Sequence, residues 1–215
     1  MKGAIFDMDG LLLDTERIYQ EGWNECAKNY VDQVNIEVGR SCAGSSGEQI
    51  QKVIKKFYPG IDGEALNKDV VKYYQEHVLN DLQLKKGVVE ILNYFKSKGI
   101  KMAVASSSIE SIIRSNLEQV GILSYFDSIV SAQHVKRSKP NPDIFLKAAE
   151  NLGLQGKDCY VFEDAINGVK AGLNAGCKTI MIPDTHEPID EFYEACYGIF
   201  PSLLEAMEFI QKEMF

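Results

Sequence analysis

Six side chains in this 215-residue sequence stand where chemistry could be done. Asp7 and Asp9, two residues apart, close a short apolar run in "KGAIFDMDG". Ser106 closes a second run, "IKMAVASSS", with Ser107 and Ser108 behind it. Lys139 lies in "KRSKPNPD", after a third run, and Glu163 and Asp164 close a fourth, "DCYVFED". Acids crowded at the exits of buried strands need a compensating charge. On one rim, four carboxylates and one ammonium would carry about −3 and resist full ionisation. A divalent cation resolves that repulsion. Oxygen-only ligands without His or Cys favour a hard ion, Mg2+ first. The net charge then falls to about −1. An anion there must be held by metal coordination, by Lys139 and by the Ser106 hydroxyl, a donor set suited to a phosphoryl group.

An aspartate can attack phosphorus and form an acyl phosphate, dividing one hard hydrolysis into two easier steps. The uncatalysed reaction is slow enough that enzymes supply up to about 10²¹-fold acceleration. A second acid two residues on can protonate the leaving oxygen and later activate water, and Asp9 stands in that place. Gly10 lets the chain turn sharply after it. Each motif alone has an ordinary reading. Asp-x-Asp-Gly also opens calcium loops, "ASSS" suits a helix N-cap, a lone lysine is usually solvated, and "ED" suits a helix start. Their weight is joint: four signals in order, each at an expected strand end.

The elements that must position these groups follow from periodicity. Short apolar runs at 2–7, 100–108, 126–132, 158–164, 177–184 and 197–200 read as strands. Helical patterns lie between them. In 87–98, Val88, Ile91, Leu92 and Phe95 share a face and Gly99 follows. In 109–120, Ile109, Ile112, Ile113, Leu117 and Val120 do so, closed by Gly121. "NPDIFLKAAENLG", "AINGVKAGLNAG" and 202–213 complete the series. Strands alternating with helices mean an α/β fold, a doubly wound, mostly parallel sheet. In such sheets ligands bind beyond the carboxyl ends of the strands. Residues 15–80 break the rhythm with three helical patterns and no buried strand. They read as a helical insert after the first strand, with "CAGSSGEQ" as an internal loop.

Composition narrows the functional classes. A net charge of −8 argues against nucleic-acid binding through a basic face. No apolar run approaches the roughly 20 residues that span a membrane, and the N-terminus lacks the features of a secretory signal. The five cysteines include no CxxC pair and read as small buried hydrophobes in a reducing cytoplasm. The three histidines are scattered and suggest no zinc site. A monomer or weak homodimer acting on a small phosphorylated metabolite is the expected form.

These motifs resemble those of the haloacid dehalogenase superfamily. "FDMDGLLLDTE" is similar to its first motif, "VASSS" to its second, "KPNPDIF" to its third and "VFEDAINGVKAG" to its fourth. The likeness spans nearly the whole sequence and is closest to the helical-cap branch of phosphatases and β-phosphoglucomutases. It implies a Rossmann-like α/β core (1–14 and 82–215) with a helical cap domain (15–81). It implies Asp7 as nucleophile and Mg2+ ligand, and Asp9 as general acid/base offering its backbone carbonyl to the metal. Ser106, with Ser107, would bind phosphoryl oxygens, and Lys139 would offset their charge. Asp164 would be a metal ligand, and Glu163 either a direct ligand or the holder of a metal-bound water. Dehalogenating members typically lack the second aspartate, so its presence points to phosphoryl transfer.

Three departures from the pattern matter. Gly47 lies near the position of a cap arginine typical of the mutases, and Tyr19 lies where they carry a histidine. Lys86-Gly87 replaces a common Pro-Gly at the return to the core. The leading expectation is therefore a Mg2+-dependent phosphatase of a sugar phosphate or nucleoside monophosphate, working through an aspartyl-phosphate. The cap would read the leaving group through Tyr19, Ser45 and Ser46, with Trp23 and Gln49 as further candidates, core packing being the favoured reading of Trp23. A sugar phosphomutase is the alternative, with Arg17, Arg40, Lys52 and Lys72 as sources of a second phosphate site. A non-enzymatic phospho-switch is the third reading, weakened by the chain's length and its insert.

Overall fold

The computed structural model describes residues 1–43 and 48–213, without the side chains of 48, 49 and 79. The described chain forms two compact units. One comprises Met1–Leu13 with Leu84–Phe215, the other Asp14–Gln83.

The larger unit is built on six parallel strands: β1 (Gly3–Phe6), β2 (Lys101–Ser106), β3 (Ser128–Ser131), β4 (Cys159–Glu163), β5 (Lys178–Met181) and β6 (Gly198–Ile199). Their order is β3-β2-β1-β4-β5-β6. The chain builds outward from β1 through β2 to β3, then returns to the other side of β1 and builds outward again. The reversal falls between β1 and β4, where such sheets form a crevice beyond their carboxyl ends. The register places Phe6 beside Val104 and Phe162, so Asp7 leaves the sheet level with the ends of β2 and β4.

Both faces of β1 are covered. Ile5 packs with Ala103, Ala105, Val161, Phe145 and Ala148 in one core cluster. Phe6 points the other way, stacking on Phe162 with centroids 4.7 Å apart and contacting Phe95 and Phe126. Two-sided burial explains why these strands read as continuous apolar runs. It also holds the backbone just ahead of Asp7 rigid.

Ten α-helices are assigned among the described residues. In the larger unit they are α5 (Val88–Ser97), α6 (Glu110–Gln119), α7 (Asp143–Asn151), α8 (Ile166–Asn174), α9 (Asp190–Ala195) and α10 (Leu203–Glu213). Helix α5 buries Val88, Ile91, Leu92 and Phe95, as its spacing predicts. Helix α6 buries Ile113 and Leu117, but Ile109 is its N-cap in extended conformation and is exposed, because it lies outside the helical register. Helix α9 has no signal in the sequence reading: six residues are too few for a helical period to emerge. Gly87 has φ +88°, and a Cβ there would collide with the backbone of Leu203 and Leu204 at the start of α10. That close approach explains glycine at this return point.

The smaller unit contains α1 (Thr15–Ala27), α2 (Glu37–Cys42), α3 (Glu48–Phe57) and α4 (Gly63–Asp81). Trp23, Ala27, Val38, Ile54, Leu66 and Val70 form its core. Asp62 caps α4, its Oδ1 accepting from the amides of Glu64 at 3.0 Å and Ala65 at 3.1 Å. Of the expected "CAGSSGEQ" loop, Cys42 instead ends α2 and Glu48 opens α3, while residues 44–47 lie outside the described residues. Four cysteines are buried and free, and Cys196 is half-buried and free. Among the described residues no helix is long and apolar enough to cross a membrane.

Candidate active site

The larger unit gathers the groups its strand ends carry. Asp7 follows β1, and its backbone amide donates to Phe162 O on β4 at 3.0 Å, extending the ladder by one residue. Lys139 reaches in from the loop after β3. Its ammonium donates to Asp7 Oδ1 at 2.5 Å, to Glu163 Oε1 at 2.6 Å and to Ala105 O at 3.2 Å. Three donors meet three acceptors, so the buried charge is fully hydrogen-bonded.

Glu163 ends β4 and is almost wholly buried. Its Oε2 accepts from the amides of Asp164 at 3.0 Å and Ala165 at 3.1 Å, just ahead of α8. A carboxylate at a helix start gains from free amides and from the dipole. Gly168, one turn into α8, makes room for it: any Cβ there would overlap the Glu163 carboxylate.

Carboxylate oxygens of Asp7, Glu163 and Asp164 all lie within 4.8 Å of one another, and all three residues are buried. Burial pushes the Asp7 carboxyl up to about 8, against the opposing pull of Lys139, with Glu163 and Asp9 adding repulsion. Burial also works against the charge on Lys139, yet Asp7 and Glu163 together outweigh it and hold the ammonium above its ordinary range. The cluster thus favours an extra positive charge, a proton or a cation. Three oxygen donors with no imidazole or thiolate suit a hard divalent ion.

Asp9 is arranged differently from Asp7. Its Oδ2 accepts from Ser106 Oγ at 3.2 Å and from Ser108 Oγ at 2.9 Å. Gly10 follows at φ +82°, where a Cβ would lie 2.5 Å from Asp164 Oδ2. The turn closes with Gly10 N donating to Leu13 O, and Leu12 and Leu13 donating to Met8 O.

A family model described as haloacid dehalogenase-like hydrolase matches residues 4–182. The chain belongs to that family. Among curated relatives, the fructose-1-phosphate phosphatase YqaB of Escherichia coli is 34% identical, covering 83% of this chain and 94% of its own. The phosphorylated carbohydrates phosphatase of Thermotoga maritima is 32% identical, covering 84% of each. Among solved structures, β-phosphoglucomutase from Clostridium difficile superposes with a TM-score of 0.76 at 25% identity, covering 99% of this chain and 96% of that one. This haloacid dehalogenase-like hydrolase is an enzyme, a phosphoric monoester hydrolase. That excludes the non-enzymatic phospho-switch.

The hydrolase brings Asp7, Asp9, Ser106, Lys139, Glu163 and Asp164 onto one rim. Ser107, grouped with Ser106 in the sequence reading, is exposed, while Ser108 turns inward to Asp9. Tyr19 stacks on Tyr74, ring centroids 4.2 Å apart, among the aromatic residues of the helical unit. Trp23 is 4% exposed and packs in that unit's core, so it is a packing residue rather than a substrate contact. Ser45 and Ser46 lie outside the described residues, as does the side chain of Gln49. Sequence reasoning missed Ser131, fully buried at the end of β3, whose Oγ donates to Ser108 O at 2.7 Å. Its only signal was position: a hydroxyl closing a strand, as Ser106 does.

Proposed function

We propose that this hydrolase is a Mg2+-dependent phosphatase of a small phosphomonoester, a sugar phosphate ahead of a nucleoside monophosphate, working through a phosphoaspartate on Asp7. One observation carries the reading: Asp7 is buried between Lys139 and the acids of Glu163 and Asp164, at the carboxyl end of the central strand. The names of the two phosphatase relatives supply the substrate class.

Asp7, Glu163 and Asp164, with the backbone carbonyl of Asp9, would hold the cation. When bound, it would offset the carboxylates and draw charge from the phosphoryl oxygens. Asp7 attacks phosphorus; its Oδ–P bond forms as the bond from phosphorus to the leaving oxygen breaks. Lys139 keeps the attacking carboxylate oriented and balances charge on the phosphoryl oxygens. Ser106 donates its hydroxyl proton to one of those oxygens. Asp9 gives a proton to the leaving oxygen, then takes one from the water that attacks the phosphoaspartate. The Asp7–phosphorus bond breaks, and phosphate and free Asp7 return.

The test is a panel of phosphorylated sugars and nucleoside monophosphates, assayed with Mg2+ and with chelator. The reading expects Mg2+-dependent phosphate release, the highest kcat/KM on a sugar phosphate and loss of activity in D7N. Release unaffected by chelator together with an active D7N would overturn it. The β-phosphoglucomutase neighbour favours a second reading, sugar phosphomutase. Against it, by the family resemblance, stand Tyr19 where a histidine is expected and Gly47 near the place of the expected cap arginine. Turnover of β-glucose 1-phosphate with a bisphosphate present decides between the two; formation of an isomerised product selects the mutase.

A further inference from the structure

We propose that Ser108 is the positioning residue that keeps the Asp9 carboxylate in place during turnover, and that Ser131 and His134 hold Ser108 for that task. The inference rests on Asp9 being the group that transfers protons.

A serine hydroxyl has one proton to donate. Ser106 Oγ and Ser108 Oγ both donate to Asp9 Oδ2. If Ser106 serves a phosphoryl oxygen, it must withdraw its proton from Asp9. Ser108 then remains as a hydroxyl donor on that carboxylate. It also makes the shorter of the two bonds, 2.9 Å against 3.2 Å.

Ser108 lies on a short loop between β2 and α6, and such a loop places a hydroxyl well only when it is tied down. Three ties come from its own neighbourhood and from the end of β3. Ser108 N donates to Ser106 Oγ at 3.0 Å. Ser131 pairs in register with Ser106, which brings its buried hydroxyl level with the loop. Ser131 Oγ donates its one proton to Ser108 O at 2.7 Å and accepts from Gln133 N at 3.2 Å. Beyond it, His134 Nδ1 accepts from Ser131 N at 3.1 Å, which places the ring proton on Nε2. Nε2 faces Glu110 Oε2 at 3.1 Å, at the first residue of α6. The end of β3 therefore grips the loop near its middle through Ser131 and at its far end through His134. The chain of contacts runs from an edge strand to the acid/base of the central strand.

The test compares kcat/KM on an alkyl phosphate with kcat/KM on p-nitrophenyl phosphate. An alkoxide needs a proton to leave; p-nitrophenolate does not. A misplaced Asp9 therefore costs the alkyl substrate more, whereas partial unfolding lowers both values by one factor and leaves their ratio unchanged. S108A is expected to lower the alkyl-to-aryl ratio by roughly tenfold. S131A should lower it in the same direction, and the double variant should be no worse than S108A, since Ser131 acts through Ser108. D9N is the reference. If D9N lowers the ratio but S108A does not, the proposal is overturned and the role of Asp9 stands. If D9N itself leaves the ratio unchanged, the role of Asp9 fails and the proposal fails with it.

Discussion

The Lys139 ammonium lies 2.5 Å from Asp7 Oδ1, with only 9% of either side chain exposed, and the same nitrogen reaches Glu163 at 2.6 Å. One cation from the loop after β3 thus holds two acids from neighbouring strands. Removing one partner of a buried pair leaves the other uncompensated, at a cost of about 3–5 kcal/mol. K139M is expected to unfold at lower denaturant concentration and to lose roughly 100-fold or more in kcat/KM. Equilibrium unfolding and steady-state kinetics check both; unchanged kcat/KM in a folded K139M would remove Lys139 from the chemistry.

Asp7 makes the cation-free protein sensitive to pH. Burial raises its carboxyl to about 8 in the folded state, against 3.8 ordinarily and despite the Lys139 ammonium. Between those values the folded state binds more protons than the unfolded chain, so stability falls as pH rises. The contribution is fully present below the ordinary value and is lost as pH rises through about 8. A divalent cation bound there would replace that proton and flatten the decline. Melting temperatures between about pH 5 and about pH 9, in chelator and in Mg2+, test the sign. A cation-free protein that gains stability across this range contradicts it.

Gly168 would bear on the proposed metal binding through Glu163. A methyl group there would overlap the Glu163 carboxylate, which must then leave the amides of Asp164 and Ala165 and its bond to Lys139. G168A is expected to raise the Mg2+ concentration needed for half-maximal activity by roughly 10–100-fold, the range for losing support behind a ligand. A Mg2+ titration of activity measures this, and an unchanged midpoint would show that Glu163 does not need its seat.

How much could be read beforehand divides along physical lines. Asp7, Ser106 and Glu163 were legible because each stands at the end of a run buried on both faces, where the crevice begins, and Lys139 because it lies in the loop that follows β3. The helices of the larger unit were legible through their spacing, except α9, which is too short. Ser131 was not legible as a site residue. Its relation to Ser108 depends on the β2–β3 register, which a sequence does not display. Gly168 was not legible either: what it accommodates is the Glu163 carboxylate, whose place depends on how α8 meets the end of β4. Trp23, by contrast, was legible: on an amphipathic helix core packing is the favoured reading of an aromatic, and Trp23 packs in the core of the helical unit.

Trp23 also offers a probe, since it is the chain's one tryptophan. Buried in the helical unit, it should give blue-shifted emission that reports on that unit alone. W23F is expected to lower the melting temperature while kcat/KM stays within about twofold, as for a core substitution near a conserved volume. A raised KM with unchanged stability would instead restore Trp23 as a substrate contact.

The central claim is that Asp7 attacks phosphorus. Rapid acid quench during turnover, followed by peptide mass analysis, tests it directly. One phosphoryl group is expected on the peptide bearing Asp7, released by hydroxylamine as an acyl phosphate would be and absent in D7N. A phosphoryl group on a different residue, or turnover in D7N with no phosphoprotein formed, would contradict it.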